Sequence, residues 1–307
     1  MSDQKGSVFN LKQIVSAAIT PFTNDNKLDL ESAARLYEAG LRHGIDGFFI
    51  CGSMGEWALL TARERRELSE VACDVIGSKA KVLLGISDTG LPSILANMER
   101  LSDLKHSHWV IVPPGGWAGP GNPVSYAHRI ADAADRPLYF YYIPGFNNIV
   151  LTVDQFREIL AHPRIAGIKN SAGGIRIRKE LLILRQTVDF ELYEGEEWGI
   201  DESLAMGCDG AIAGFASVAG KLMKNIAREV DRADLKTACD LQFRVIDMFH
   251  KVYGDSAQWW SAGQKYALKY MGIISSETSR VDAQQDMPES HRAQIRACID
   301  ANRDYLE

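Results

Sequence analysis

The sequence predicts an α/β fold, a (β/α)8 TIM barrel with a C-terminal helical extension. Three observations carry this. Short apolar runs of strand length and composition recur through the first two-thirds of the chain. Segments with helical periodicity fill the gaps between them, and such alternation points to a parallel sheet. After Phe215 the strand-like runs stop and only helical segments follow.

The first run, Ile14–Phe22, precedes a helix at Asp29–Leu41. Gly47–Gly52 comes next, and Thr61-Ala-Arg-Glu64 then forms a capping box that opens a helix through Val75. Lys81–Ile86 pairs with a helix at Pro92–Leu104, Trp109–Pro114 with Pro123–Ala134, and Pro137–Pro144 with Val153–Ala161. Ile165–Ser171, Phe190–Gly195 and Gly210–Phe215 complete the strands, separated by helices at Ile175–Leu184 and Trp198–Met206. Eight units over about 215 residues suit a closed barrel better than an open sheet. A doubly wound sheet is the alternative, but no G-x-G-x-x-G follows an early strand, and the glycine-rich stretch Gly115–Gly121 does not lead straight into a helix. Val218–Asp231, Leu235–Tyr253, Ala257–Tyr270 and Pro288–Tyr305 read as the closing helices. The expected organisation is a barrel over residues 10–217 with a helical region over 218–307 packed on it.

Composition excludes several classes. The 307 residues are 46% hydrophobic and 24% charged, ordinary for a soluble enzyme. No apolar run approaches the roughly 18 residues of a membrane span, and Met1–Gly6 lacks the pattern of a secretion signal. A net charge of −6 argues against a nucleic-acid surface. Cys51, Cys73, Cys208, Cys239 and Cys298 are scattered with no C-x-x-C, as expected of reduced cytoplasmic cysteines. His106-x-His108 lacks a third ligand, so no metal site is expected.

In a barrel of this kind, function sits where strands end and the following loops begin. Lys169 stands near the end of one apolar run and Tyr141 near the end of another. A lysine carried to the end of a buried strand is disfavoured as a cation, and a neutral amine can attack a ketone to form a Schiff base. A nearby phenol can carry the protons that this chemistry moves. Taken singly, each residue has a plainer reading: a lysine capping a strand in solvent, a tyrosine in a core. After the second strand, Cys51-Gly-Ser-Met-Gly-Glu56 can expose successive backbone N–H groups around Ser53 and Met54, a cradle for a carboxylate or simply a tight turn.

Five ordered motifs resemble the dihydrodipicolinate synthase / N-acetylneuraminate lyase family of class I aldolases. They are Ala18-Ile-Thr-Pro-Phe22, Gly52-Ser-Met-Gly-Glu56, Tyr141-Tyr-Ile-Pro144, Gly167-Ile-Lys-Asn-Ser171 and Gly207-Cys-Asp-Gly-Ala-Ile-Ala-Gly214. The interval from Tyr141 to Lys169 also looks like the family's. The resemblance implies a homodimeric or homotetrameric barrel that binds pyruvate, or another small 2-oxo acid, as an imine on Lys169, with Tyr141 transferring protons. It implies that Gly52, Ser53, the main chain of Met54 and Gly214 hold the substrate carboxylate. No metal or organic cofactor is required.

Departures from the family pattern narrow the substrate. Where the synthase branch has an arginine gripping a second carboxylate, Phe146 stands here, and Met54 replaces a hydroxyl residue. The family's tyrosine pair after the fourth strand is absent, and Pro113-Pro-Gly-Gly-Trp117 occupies that place. Lysine-biosynthetic activity is therefore not expected. Ser171 and Glu197 match positions that contact sugar hydroxyls in the lyase branch, with Gly195 beside them and Asn147 as a further polar group. The expected function is a Schiff-base lyase, aldolase or dehydratase, for a 2-oxo-3-deoxy sugar acid. Phe146 and Trp117 suggest an alternative, a hydratase-aldolase for aryl-pyruvate adducts; a 2-oxo acid binder without turnover is the second alternative.

Overall fold

The computed structural model describes residues 11–116, 119–281 and 286–307. Trp117 and the Met1–Gly6 segment read for a leader lie outside the described residues. Eight strands close a parallel barrel in the order of the chain. They are β1 Gln13–Ala17, β2 Gly47–Ile50, β3 Lys81–Gly85, β4 His108–Ile111, β5 Leu138–Tyr142, β6 Ile165–Asn170, β7 Glu191–Glu194 and β8 Gly210–Ala213. The helices are α1 Leu30–Arg42, α2 Ala62–Ile76, α3 Leu91–Leu101, α4 Pro123–Ala133, α5 Pro144–Asn147, α6 Val153–Leu160, α7 Ile175–Leu184, α8 Ile200–Ala205, α9 Ala216–Asp231, α10 Leu235–Tyr253, α11 Ala262–Tyr270, α12 Glu289–Ala301 and α13 Arg303–Leu306. This is the (β/α)8 TIM barrel with C-terminal helices that the apolar periodicity predicts.

The departures are local and have local causes. The first strand stops at Ala17, short of Phe22, and Pro21, which has no N–H, could not carry a ladder bond further along. Phe22 instead bridges Leu28 in antiparallel fashion. The helix expected from Trp198 begins at Ile200, after a 3-10 turn over Glu197–Gly199. The short α5 was not anticipated. Pro144 ends the apolar run and also starts that turn of helix, a position where its missing N–H costs nothing. The capping box at Thr61 forms as expected, with reciprocal bonds between Thr61 and Glu64. Within the stretch expected as the C-terminal region, α9 follows β8 directly and packs against β1, filling the eighth helical place around the barrel.

Two cores result from strand alternation. Val15, Phe49, Leu83, Val110, Tyr139, Tyr141, Tyr193 and Ile212 fill the barrel interior. Their strand neighbours, among them Phe48, Phe140, Tyr142 and Ile168, point outward under the helices. This alternation decides which tyrosine meets the lysine. Tyr141 pairs in register with Lys169 and shares the interior with it, whereas Tyr142 packs outward on Phe156 at 4.9 Å.

Candidate active site

Lys169 is 4% exposed on β6. Its Nζ lies 4.1 Å from the centroid of the Tyr141 ring and 5.5 Å from that of Phe49. Phe49 meets Tyr141 edge to face at 6.2 Å, so the amine sits against a corner of two aromatic rings. It forms no ion pair with any described residue. The lysine's own strand is braced from outside. Asn170 donates to Glu194, which pairs at 2.7 Å with buried Arg178. Burial pushes the Glu194 carboxyl up, and Arg178 pulls it back toward the ionised form.

The turn after β2 supplies the neighbouring wall. Cys51 and Glu56 bracket it, both non-glycine residues at φ +55°. Each such left-handed residue costs roughly 1–3 kcal/mol and persists only where its surroundings hold it. Two bonds close the turn from within: the Gly55 N–H donates to the Gly52 carbonyl, and the Glu56 N–H to the Ser53 carbonyl. Thr20, from the motif after β1, donates to the Gly55 carbonyl at 2.6 Å. The Ser53 hydroxyl is buried and has no hydrogen-bond partner among the described residues. A buried hydroxyl left so costs about 1–3 kcal/mol, which a bound acceptor would recover. Gly214, at the end of β8, lies against Met54; a Cβ there would come within 2.5 Å of the Met54 side chain.

Gly195 marks the other side. A Cβ on it would fall 2.0 Å from the Ser171 hydroxyl and 2.9 Å from Lys169 Cε. Only glycine lets these three residues share the space above β6 and β7. Glu197 follows, half-buried, and its Oε1 accepts the Phe215 N–H at 2.5 Å. Burial raises its carboxyl to about 7, against the backbone N–H of Phe215 and the charge of Lys169, which both favour the ionised form. Tyr253 of α10 lies close enough to Glu197 for that charge to push its phenol up, after burial has done so.

The remaining expected contacts divide. Phe146 is 60% exposed on α5 and lines an apolar chamber of about 330 Å³ with Ser53, Met54, Trp57, Trp260 and Val281. Asn147 is buried and both ends of its amide are committed. Nδ2 donates to the Pro113 carbonyl at 2.9 Å, and Oδ1 accepts the Ile149 N–H at 3.0 Å. It fastens the loop after β4 to the one after β5, so we leave it out of the proposed substrate contacts. Among the described residues, no group of three or more possible metal ligands comes together, at His106 and His108 or elsewhere.

A sequence model of the Dihydrodipicolinate synthetase family matches residues 10–302. The chain belongs to this family. Its curated relatives include a 4-hydroxy-tetrahydrodipicolinate synthase of Leuconostoc mesenteroides subsp. mesenteroides, 28% identical over 75% of this chain and 79% of the relative. An N-acetylneuraminate lyase of Escherichia fergusonii is 27% identical over 87% of this chain and 89% of its own. Among solved structures, the dihydrodipicolinate synthase of Bacteroides thetaiotaomicron superposes with a TM-score of 0.87 at 23% identity, covering 95% of this chain and 98% of the other, and shares the fold. As a member of the dihydrodipicolinate synthetase family, the protein is an enzyme of the class I, Schiff-base-forming pyruvate aldolase and lyase type.

Sequence reasoning gave no role to three residues that the fold brings to this site. Glu56 ends a quoted motif but drew no function. Lys265 and Arg280 come from the C-terminal region and reach back to Glu56 and Glu64. The available sign was a lysine in the middle of an otherwise largely apolar helical stretch, Ser261-Ala-Gly-Gln-Lys-Tyr-Ala-Leu268.

Proposed function

We propose that this enzyme is an aldolase or dehydratase acting through an imine on Lys169, with a 2-oxo-3-deoxy sugar acid or a related pyruvate-derived 2-oxo acid as substrate. The observation that carries the chemistry is the Lys169 amine, buried 4.1 Å from the centroid of the Tyr141 ring, with neither an ion pair to it nor a hydrogen bond to the Ser53 hydroxyl of the neighbouring turn among the described residues. The amine attacks the 2-oxo carbon, the oxygen leaves as water, and the protonated imine draws electrons from the bond beside the former ketone. Tyr141 moves the protons. Ser53, with the Met54 N–H and the backbone at Gly214, receives the carboxylate. Ser171 and Glu197 support a hydroxylated substrate, since both stand within the shell around Lys169 and Gly195.

One observation favours a second reading. The chamber walled by Met54, Trp57, Phe146 and Trp260 abuts Ser53 and suits an apolar or aryl group, as a hydratase-aldolase would need. The lysine-pathway synthase reaction is not proposed: a second carboxylate calls for a cation, and Phe146 stands where an arginine would grip it. Efficient condensation of pyruvate with aspartate semialdehyde in a coupled assay would overturn that reading. The free cysteines fit a cytoplasmic enzyme, and assembly as a homodimer or homotetramer is what the family resemblance implies. Pyruvate release across a panel of 2-oxo-3-deoxy sugar acids and aryl-pyruvate adducts tests the proposal. Turnover of neither class, by a protein that still binds 2-oxo acids, would leave a binder in place of an enzyme.

A further inference from the structure

Glu56 closes the turn that carries Ser53 and Met54, yet its carboxylate leaves the barrel and enters the C-terminal helical region. Its Oε1 pairs with Lys265 Nζ at 2.5 Å and accepts the Ser261 hydroxyl at 2.6 Å; its Oε2 accepts the Arg280 N–H at 2.8 Å. Both charged side chains are fully buried. Lys265 also donates to the Thr278 carbonyl at 3.0 Å and lies 4.3 Å from the Phe22 ring centroid. The Arg280 guanidinium extends the same link. It pairs with Glu64 at 2.6 Å, donates to Asn26 Oδ1 at 3.0 Å and to the Leu59 carbonyl at 2.9 Å.

Stability alone does not account for this arrangement. Desolvation offsets most of the attraction in a buried ion pair, and apolar side chains of similar volume often serve as well. Direction is what the pair adds. Glu56 is held at φ +55°, three residues after Ser53, and a turn strained at both ends relaxes unless something outside it fixes the ends. Thr20 holds Gly55 from the barrel side, and Lys265 with residues 276–281 holds Glu56 from the other.

We propose that Glu56 and Lys265 are positioning residues that hold the Ser53–Met54 turn in its carboxylate-receiving shape, so that helix α11 and the segment after it belong to the working site. The inference rests on the imine reading of Lys169 and on the carboxylate reading of Ser53. It requires that loosening the pair weakens substrates with a carboxylate and spares ketones without one.

The test is borohydride trapping on the full chain, with pyruvate and with acetone, a ketone that lacks the carboxylate. The variants are Glu56→Gln, Arg280→Ala, and Glu56→Leu combined with Lys265→Met. Removing one charge of a buried pair leaves the other buried and unpaired, whereas removing both leaves no buried charge. In the double variant we expect the half-saturating pyruvate concentration to rise about tenfold, with the maximal extent of trapping kept and trapping by acetone at the parental rate. Glu56→Gln should move the same way, and Arg280→Ala less far. A well-folded double variant with parental pyruvate affinity overturns the proposal, as does an equal loss for pyruvate and acetone. Failure of the parent enzyme to trap either ketone would be a failure of the Lys169 reading itself, and this inference falls with it.

Discussion

Tyr141 meets Lys169 because parallel strands β5 and β6 place them in one register and strand alternation turns both inward. The same alternation sends Tyr142 to the helical side, where its hydroxyl cannot serve the reaction. Tyr141→Phe removes one oxygen and leaves the ring against Phe49, so the fold should persist. Turnover should fall by roughly 10²–10⁴-fold, the usual worth of a positioned proton carrier. A loss of only a few-fold, measured as kcat on any accepted substrate, would remove Tyr141 from that role. Glu197 gives a pH prediction. Its carboxyl titrates near 7, and only the ionised form accepts a substrate hydroxyl without donating in return. For a hydroxylated substrate, kcat/KM should therefore rise as pH increases through about 7, and Glu197→Gln should flatten that limb. Stability runs the other way. From the ordinary 4.5 up to about 7 the folded chain holds a proton that the unfolded chain has lost, so this group's contribution to stability falls as pH rises through that window. Denaturant titrations across pH 4–8 should show stability falling more steeply between about 4.5 and 7 in the parent than in Glu197→Gln. That Lys169 and Tyr141 lie together at one end of the barrel was legible, because both stand near the ends of apolar runs. The committed amide of Asn147 was not, since nothing in Pro144-Gly-Phe-Asn147 says that Pro113 will lie beside it.

At the scale of elements, the two walls of the proposed site differ in polarity and so favour different substrates. The β7 side offers Ser171 and Glu197; the turn after β2 and helix α5 offer Met54, Trp57 and Phe146. A site that hydrogen-bonds distal hydroxyls rejects analogues lacking them, because its polar groups are left unpaired. Glu197→Ala should therefore raise KM or lower kcat for sugar acids and leave pyruvate trapping nearly unchanged. Phe146→Ala should matter little to them. The reverse pattern, a loss confined to Phe146→Ala with aryl adducts as the better substrates, would move the assignment to the apolar reading. Helix ends with strong local chemistry, such as the Thr61 capping box, could be read from four residues. The four-residue α5 could not, because one turn of helix carries no periodicity and its proline looks like the end of a strand.

Across the whole molecule, closure of the barrel does most of the positioning. Strands β5 to β8 bring Tyr141, Lys169, Gly195 and Gly214 to one rim, and β2 brings Ser53 to the same rim. That much follows from alternating strands and helices, which is why the barrel was legible from apolar periodicity. The link from α11 to the turn after β2 was not legible. Glu56 and Lys265 are 209 residues apart, and no local pattern encodes a contact made only once both units have folded. The proposed chemistry nevertheless comes down to a single covalent bond, the imine on Lys169. Incubation with pyruvate and borohydride, followed by peptide mass mapping, should show a reduced pyruvyl adduct on Lys169 and none in Lys169→Ala. An unmodified Lys169 in a protein demonstrably saturated with pyruvate, or an adduct on another lysine, would contradict it.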